Sequence, residues 1–241
     1  MIIYIYIYIT NVDAQDFFNK IKQFLNLTNK FIDNENSKKI KAYLYDIYYT
    51  KTIDRWNKIK DNNLFKLFYN EEFYINKVKY KPVKYYLSKL ENILYEYDIV
   101  SENRKFSIIH GDLCFNNIII KDQNIYLIDP RGSFGKKGLY GDRLYEMAKL
   151  SHSISGYDSI INNLYSINYK NNKINFSFKH NNNQQNFRNE FEKMLDKKTL
   201  LQVYLIESLL FLSMIPLHDE NYEHQLMMLC LAITKISKYI K

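Results

Sequence analysis

Apolar residues recur at helical spacing along most of the chain. Across 13–27 they fall at Phe17, Ile21, Phe24 and Leu25, one face of a helix. Ser37 can cap a second helix with Ile40, Tyr43, Leu44, Ile47 and Tyr48 on one side, extended by Ile53 and Trp56. Pro82 suits a first helical position. Val83, Tyr86, Leu87, Leu90, Ile93, Leu94 and Tyr97 follow as a strongly amphipathic stretch. Residues 139–153 and 157–165 also read as helices. Two long apolar helices, about 199–215 and 221–240, close the chain, with Pro216 between them.

A strand pattern shows in few places. Residues 107–110 predict a short strand; 117–121 and 125–129 predict the arms of a hairpin, with 122–124 as its turn. Residues 174–178 alternate as an exposed strand, and the Asn-rich run 181–186 predicts a solvated loop. Residues 2–9 alternate Ile and Tyr with no polar face; they read equally as a buried strand or as the translation of a plain AT repeat. The first 110 residues are expected to be mostly helical after that segment. A central hairpin in a mostly helical chain makes the expected class α+β. The pattern divides the chain into a strand and helix over 1–37 and a main body over 38–241, with an Asn-rich insertion at about 168–186.

Composition narrows the function classes. The 241 residues are 46% apolar and 16% aromatic, which excludes a disordered chain and supports a real core. The pair Cys114 and Cys230 is no disulfide scaffold, so a reducing, cytoplasmic setting is expected. No apolar run looks long enough to span a bilayer; the best, 204–217, contains Glu207. No basic region precedes the N-terminal apolar stretch, so it does not read as a signal peptide. The net charge of +8 comes with only 5 Arg among 34 basic residues, scattered beside acidic ones. With 31 Ile, 28 Asn and 4 Ala, this matches AT-rich coding better than a nucleic-acid-binding face, so no specific nucleic-acid partner is expected.

Glycine placement is more telling. All six (Gly111, Gly132, Gly135, Gly138, Gly141 and Gly156) lie in one window, and none precedes Gly111. Such survivors belong where a side chain is not tolerated. The same window reads His110-Gly111-Asp112-Leu113-Cys114-Phe115-Asn116-Asn117, then Leu127-Ile128-Asp129-Pro130-Arg131-Gly132. Asp112 precedes the hairpin and Asp129 ends its return strand, so antiparallel pairing brings them together, with Asn117 facing the same gap. Two carboxylates and an amide oxygen suit Mg²⁺ and phosphate oxygens. A carboxylate left off the metal can accept a proton from an attacking hydroxyl.

This segment resembles the aminoglycoside phosphotransferase/choline kinase family, a branch of the protein-kinase-like fold, whose motif is H-G-D-L-x-x-x-N, a strand, then I-D-x-x-G. The resemblance implies that Asp112 is the catalytic base, that Asn117 and Asp129 hold Mg²⁺, and that His110 braces the loop. Gly141-Asp142-Arg143-Leu144-Tyr145-Glu146-Met147-Ala148 resembles the family's G-D-P-x-Y-D-L-A helix, so Gly111, Asp142 and Glu146 join the loop support; Arg143 replaces Pro and Glu146 replaces Asp. Gly-Asp-Leu-Cys-Phe-x-Asn, Ile-Asp-Pro-Arg-Gly, 148–153 and 213–218 are similar to a subgroup associated with surface-polysaccharide biosynthesis. The likeness runs, with gaps, from about residue 40 onward.

It implies transfer of the ATP γ-phosphoryl group to a hydroxyl of a sugar, polyol or amino alcohol, with Mg²⁺ and ATP as cofactors and the closing helices as one wall of the acceptor pocket. Arg131 has two readings, a phosphate or substrate contact, or a brace paired with Glu146 or Asp142; the brace is favoured slightly. Lys136 and Lys137 read as a solvated loop, and His152 and His218 as structural. No glycine-rich phosphate loop fits before residue 111, and only one candidate strand precedes the helices. The chain thus reads as a C-terminal lobe, needing a separate nucleotide-binding lobe chain or a drastically reduced one. The alternative is a truncated or pseudokinase remnant acting as a non-catalytic binding module.

Overall fold

The computed structural model describes residues 12–121, 124–179 and 182–240; the alternating segment 2–9 and part of the turn at 122–124 lie outside them. The described chain is α+β, mainly helical with small sheets. Helix α1 (Ala14–Thr28) is capped by Asp13, and its Phe17 and Phe18 pack against Phe187 and Phe191 of α8 (Asn182–Lys193). Phe17 also meets Phe115 edge-on at 5.9 Å, so α1 belongs to the same core as the central loop. Helix α2 (Ser37–Tyr45) takes Asn36 rather than Ser37 as its cap. It runs through a π-helical turn, Asp46–Thr50, into α3 (Lys51–Asn57). The wider turn changes which side chains share a face, and the buried Tyr48 lies within it.

After α4 (Phe65–Asn70), the chain forms a hairpin that helical periodicity does not predict: β1 (Phe73–Ile75) and β2 (Val78–Tyr80). Asn76 and Lys77 between them have φ of 47° and 69°, a two-residue turn with the twist that hairpins favour. Phe73 and Ile75 are buried, and β1 pairs in parallel with β10 (Lys173–Phe178), which pairs with β9 (Tyr165–Lys170). The sheet order β2-β1-β10-β9 makes the Asn-rich region part of the fold rather than an appendage. The first 110 residues are therefore not only helical.

Helix α5 (Val83–Glu96) buries the predicted face. Strand β3 (Ser107–Ile108) enters the central loop, which includes a 3-10 turn at Phe115–Asn117. The hairpin β4 (Ile118–Lys121) and β5 (Asn124–Leu127) lies where it is expected, with Ile118 opposite Leu127; Asn124 belongs to the return strand rather than the turn, and that strand ends two residues before Asp129. Two-residue strands β6 (Ser133–Phe134), β7 (Lys136–Lys137) and β8 (Tyr140–Gly141) lead to α6 (Arg143–His152). The predicted start at 139 is early by four residues, because β8 pairs with β3 and Asp142 caps the helix. A π-helical turn, Ser153–Tyr157, and the short α7 (Asp158–Ile161) replace the predicted helix 157–165; Tyr165 already opens β9.

The solvated loop expected over 181–186 is instead mostly the start of α8. Phe187 and Phe191, one turn apart, are fully buried and hold that helix despite its polar opening. Helix α9 (Lys197–Met214) packs against α3, α6 and α10 (Tyr222–Ile236). The segment Lys197–Leu217 is long and apolar enough by length and composition to cross a membrane, which corrects the shorter run read from sequence. It is mostly buried among other helices, and its Glu207 pairs with Lys235 of α10 at 2.8 Å.

Candidate functional site

The loop from His110 to Asn117 is fixed from three sides. Glu146, buried in the first turn of α6, accepts the backbone N–H of His110 at 2.8 Å and of Gly111 at 2.9 Å, one on each carboxylate oxygen. Burial pushes the Glu146 carboxyl up to about 7, against the pull of those two donors. His110 donates Nε2–H to the Ile128 carbonyl at 2.7 Å, which ties the loop to the end of β5. Burial pushes the His110 pKa down, consistent with a neutral ring in that role. The Arg131 N–H closes the third side on the His110 carbonyl at 2.8 Å. Gly111 has φ +78°, and an added Cβ would lie 2.9 Å from the Arg131 Cβ, so glycine is required there.

Asp112 is held at both oxygens. Lys149 of α6 meets Oδ1 at 2.7 Å, and the Asn117 amide nitrogen donates to Oδ2 at 3.1 Å and to the Asp112 carbonyl at 2.8 Å. The Asp112 side chain is 40% exposed, whereas that of Lys149 is 9% exposed. Burial disfavours the Lys149 ammonium, but Tyr145 and Asp112 outweigh it and the net shift is upward. Asp129 follows β5, is exposed, and has φ 56°, a left-handed backbone uncommon for a residue with a side chain. Such strain is often found at functional positions.

Asp112 and Asp129 line one cleft of about 270 Å³ with Lys51, Arg55, Arg131, Tyr145 and Lys149. Leu210 and Met214 of α9 and Leu217 of the turn that follows it give the cleft an apolar wall. Asn117 is not among the lining residues. Its nitrogen is turned to Asp112, and its backbone carbonyl accepts the Ile128 N–H at 3.0 Å, beside the segment that carries Asp129. A carboxylate and an amide oxygen there are the hard donors that Mg²⁺ takes alongside phosphate and water, so Asp129 and Asn117 fit the ion chemically.

Two expected contacts are replaced. Arg131 pairs with neither Glu146 nor Asp142; it donates to the Tyr145 hydroxyl at 2.7 Å and lies over that ring. Glu146 is occupied by the loop backbone. Asp142 is fully buried at the N-terminus of α6, where it pairs with Arg104, accepts the Tyr48 hydroxyl at 2.7 Å and caps the helix through Leu144 N–H at 3.1 Å. Asp142 thus supports the helix that carries Glu146 and does not itself touch the loop. Lys136, read as solvated, pairs with Asp33 at 2.5 Å and Glu35 at 3.3 Å.

Sequence reasoning missed Lys51, Arg55, Tyr145 and Lys149 as cleft residues. The available signals were Lys51 and Arg55 one turn apart and Lys149 one turn after Glu146. His152 is wholly buried against Phe211 and Tyr157, with centroids 4.1 and 4.5 Å away, and burial holds its pKa well below the usual value. Cys114 is buried and its thiol pushed up to about 11, which gives it no nucleophilic role. His218, Glu220 and His224 form a second cluster with ligand atoms within 4.8 Å of one another; His218 meets Glu220 and His224 meets Asn163. No known protein-family model matches the chain, and no curated protein matches it in sequence.

Proposed function

We propose that this chain is the C-terminal lobe of a protein-kinase-like phosphotransferase of the aminoglycoside phosphotransferase/choline kinase type. The observation that carries this reading is the convergence of Asp112 and Asp129 on one cleft, with the Asp112 loop tied down by Glu146, His110 and Arg131. In this role Asp112 accepts the proton of an acceptor hydroxyl as its oxygen bonds to the transferred phosphorus. Lys149 and Asn117 fix the orientation of that carboxylate. Asp129 and Asn117 would hold Mg²⁺. The ion, when bound with ATP, supplies charge neutralisation at the phosphates. Leu210, Met214 and Leu217 shield the acceptor side from water.

One sequence fact favours a second reading, a binding module without turnover: no glycine precedes Gly111, so a glycine-rich phosphate loop is missing from that stretch. The test is Mg²⁺-dependent binding of a fluorescent ATP analogue, followed by phosphoryl transfer to a panel of sugars and polyols. Both are measured for the chain alone and together with any nucleotide-lobe chain encoded beside it. Binding with turnover that Asp112→Asn abolishes supports the kinase reading. Binding without turnover supports the module. No Mg²⁺-dependent nucleotide binding in either setting refutes the kinase proposal.

A further inference from the structure

The charge inside the cleft is unbalanced. Four cations, Lys51, Arg55, Arg131 and Lys149, face two carboxylates, Asp112 and Asp129. Lys149 is paired with Asp112. Among the described residues the other three have no carboxylate partner. Arg55 donates to the Ser213 carbonyl at 2.7 Å, Arg131 donates to the Tyr145 hydroxyl, and the Lys51 ammonium lies 5.6 Å from the centre of the Tyr145 ring. Lys51 is the most telling. Burial first, and then the repulsion of Arg131, Arg55 and Lys149, holds its pKa down to about 7. A partly buried ammonium surrounded by other cations has unmet charge, and a bound anion supplies what the fold does not.

The three cations come from two directions. Lys51 and Arg55 share one face of α3, one turn apart, and Arg131 reaches in from the segment after β5. They cluster round Tyr145 and α9, whose Leu210 and Met214 supply the apolar wall. A guanidinium fork beside an ammonium matches the oxygens of a phosphate or carboxylate. An amino alcohol or amino sugar would bring a positive charge into this surplus and be repelled.

We infer that Lys51, Arg55 and Arg131 form a subsite for an anionic group, a phosphate or carboxylate, carried by the acceptor molecule. This rests on the phosphotransferase reading for the word acceptor; the anion site itself stands on the cleft. The acceptor is then a hydroxylated anion such as a sugar phosphate or sugar acid, and amino alcohols are excluded.

The test is calorimetric titration of the full chain with glycerol 3-phosphate, glycerol and choline, without nucleotide or metal ion. Glycerol 3-phosphate is expected to bind, and glycerol and choline are not. Lys51→Met and Arg131→Gln should each weaken binding about tenfold or more. Lys51→Met removes an unpaired buried charge, so it should keep its fold, as checked by thermal melting. Absent glycerol 3-phosphate binding, or binding unchanged in both variants, overturns the inference. Mg²⁺-ADP, at a concentration shown to bind the chain alone or together with a nucleotide-lobe chain, separates the two sources of phosphate: unchanged or tighter glycerol 3-phosphate binding assigns the subsite to the acceptor, and competitive displacement assigns it to the nucleotide and overturns the inference. Mg²⁺-ATP binding without glycerol 3-phosphate binding overturns this inference alone; glycerol 3-phosphate binding with no Mg²⁺-ATP binding, either by the chain alone or together with a nucleotide-lobe chain, overturns the phosphotransferase reading alone.

Discussion

Replacing Asp142 tests the frame behind the site. Its carboxylate is fully buried and has three partners: the Arg104 guanidinium, the Tyr48 hydroxyl at 2.7 Å and the Leu144 N–H at 3.1 Å. Asp142→Asn keeps the volume and a good helix cap but leaves Arg104, whose side chain is 17% exposed, without its counter-charge. Breaking a buried pair from one side costs about 3–5 kcal/mol, and residual exposure places this pair near 3. A weakened Tyr48 bond brings the total to about 3–4 kcal/mol. For a chain of this length that is a fall in melting temperature of roughly 6–16 °C. Asp142→Ala also loses the cap, about 1 kcal/mol more. Thermal and urea unfolding followed by helical circular dichroism measure both. Arg104→Met combined with Asp142→Asn should recover much of the loss, because no unpaired charge remains. A loss under about 1 kcal/mol for Asp142→Asn, or strict additivity in the double variant, would refute the reasoning.

Two further outcomes follow from the same structure. The Glu146 carboxyl is raised from 4.5 to about 7, so the folded state binds more protons between those values and stability from this group falls as pH rises through that window. Lys51 is lowered from 10.5 to about 7, so the unfolded state binds more protons there and stability from this group rises from pH 7 toward 10. Urea midpoints against pH should lose the first slope in Glu146→Gln and the second in Lys51→Met; slopes that persist in the variants contradict these assignments. Gly111→Ala should destabilise more than Gly132→Ala, by about 1–2 kcal/mol. Both have positive φ, but only at 111 would the new Cβ meet Arg131; equal costs in urea unfolding would count against that packing.

The helical faces of α1 and α5, the presence of α10 and the place of the β4–β5 hairpin were legible because period and turn chemistry agreed. The four-stranded sheet was not. Strand β1 is three residues long, and its parallel partner β10 lies about a hundred positions away, so nothing local signals the pairing. Helix α8 failed for a related reason: two buried phenylalanines outweigh a polar opening only once α1 is in place. At the site, Asp112, Asp129 and Gly111 were readable from their placement round one loop and hairpin, whereas Glu146 on the helix beneath came only from the resemblance of residues 141–148. The cations were hidden. Lysine is so frequent in this chain that Lys51 and Lys149 do not stand out, and Arg131 changed partner because Arg104, 38 residues before Asp142, had already taken that carboxylate.

The Asp112–Lys149 pair has a consequence for any test of catalysis. Its two ends are unequal: the carboxylate is partly in water and the ammonium is nearly enclosed. Removing the cation leaves a solvated carboxylate that Asn117 still holds, so Lys149→Met should cost less than about 1 kcal/mol in stability. Removing the carboxylate leaves an enclosed ammonium with no counter-charge, so Asp112→Asn should cost about 2–3 kcal/mol. Lost activity in Asp112→Asn alone would then mix a missing base with a loosened loop. The double variant Asp112→Asn with Lys149→Met separates them: the enclosed charge is gone, and urea unfolding should return close to the wild-type value while turnover stays abolished. If the double variant regains turnover with its stability, Asp112 is a structural partner of Lys149 and not the base. If it stays as unstable as Asp112→Asn, the ammonium was not what the carboxylate was compensating.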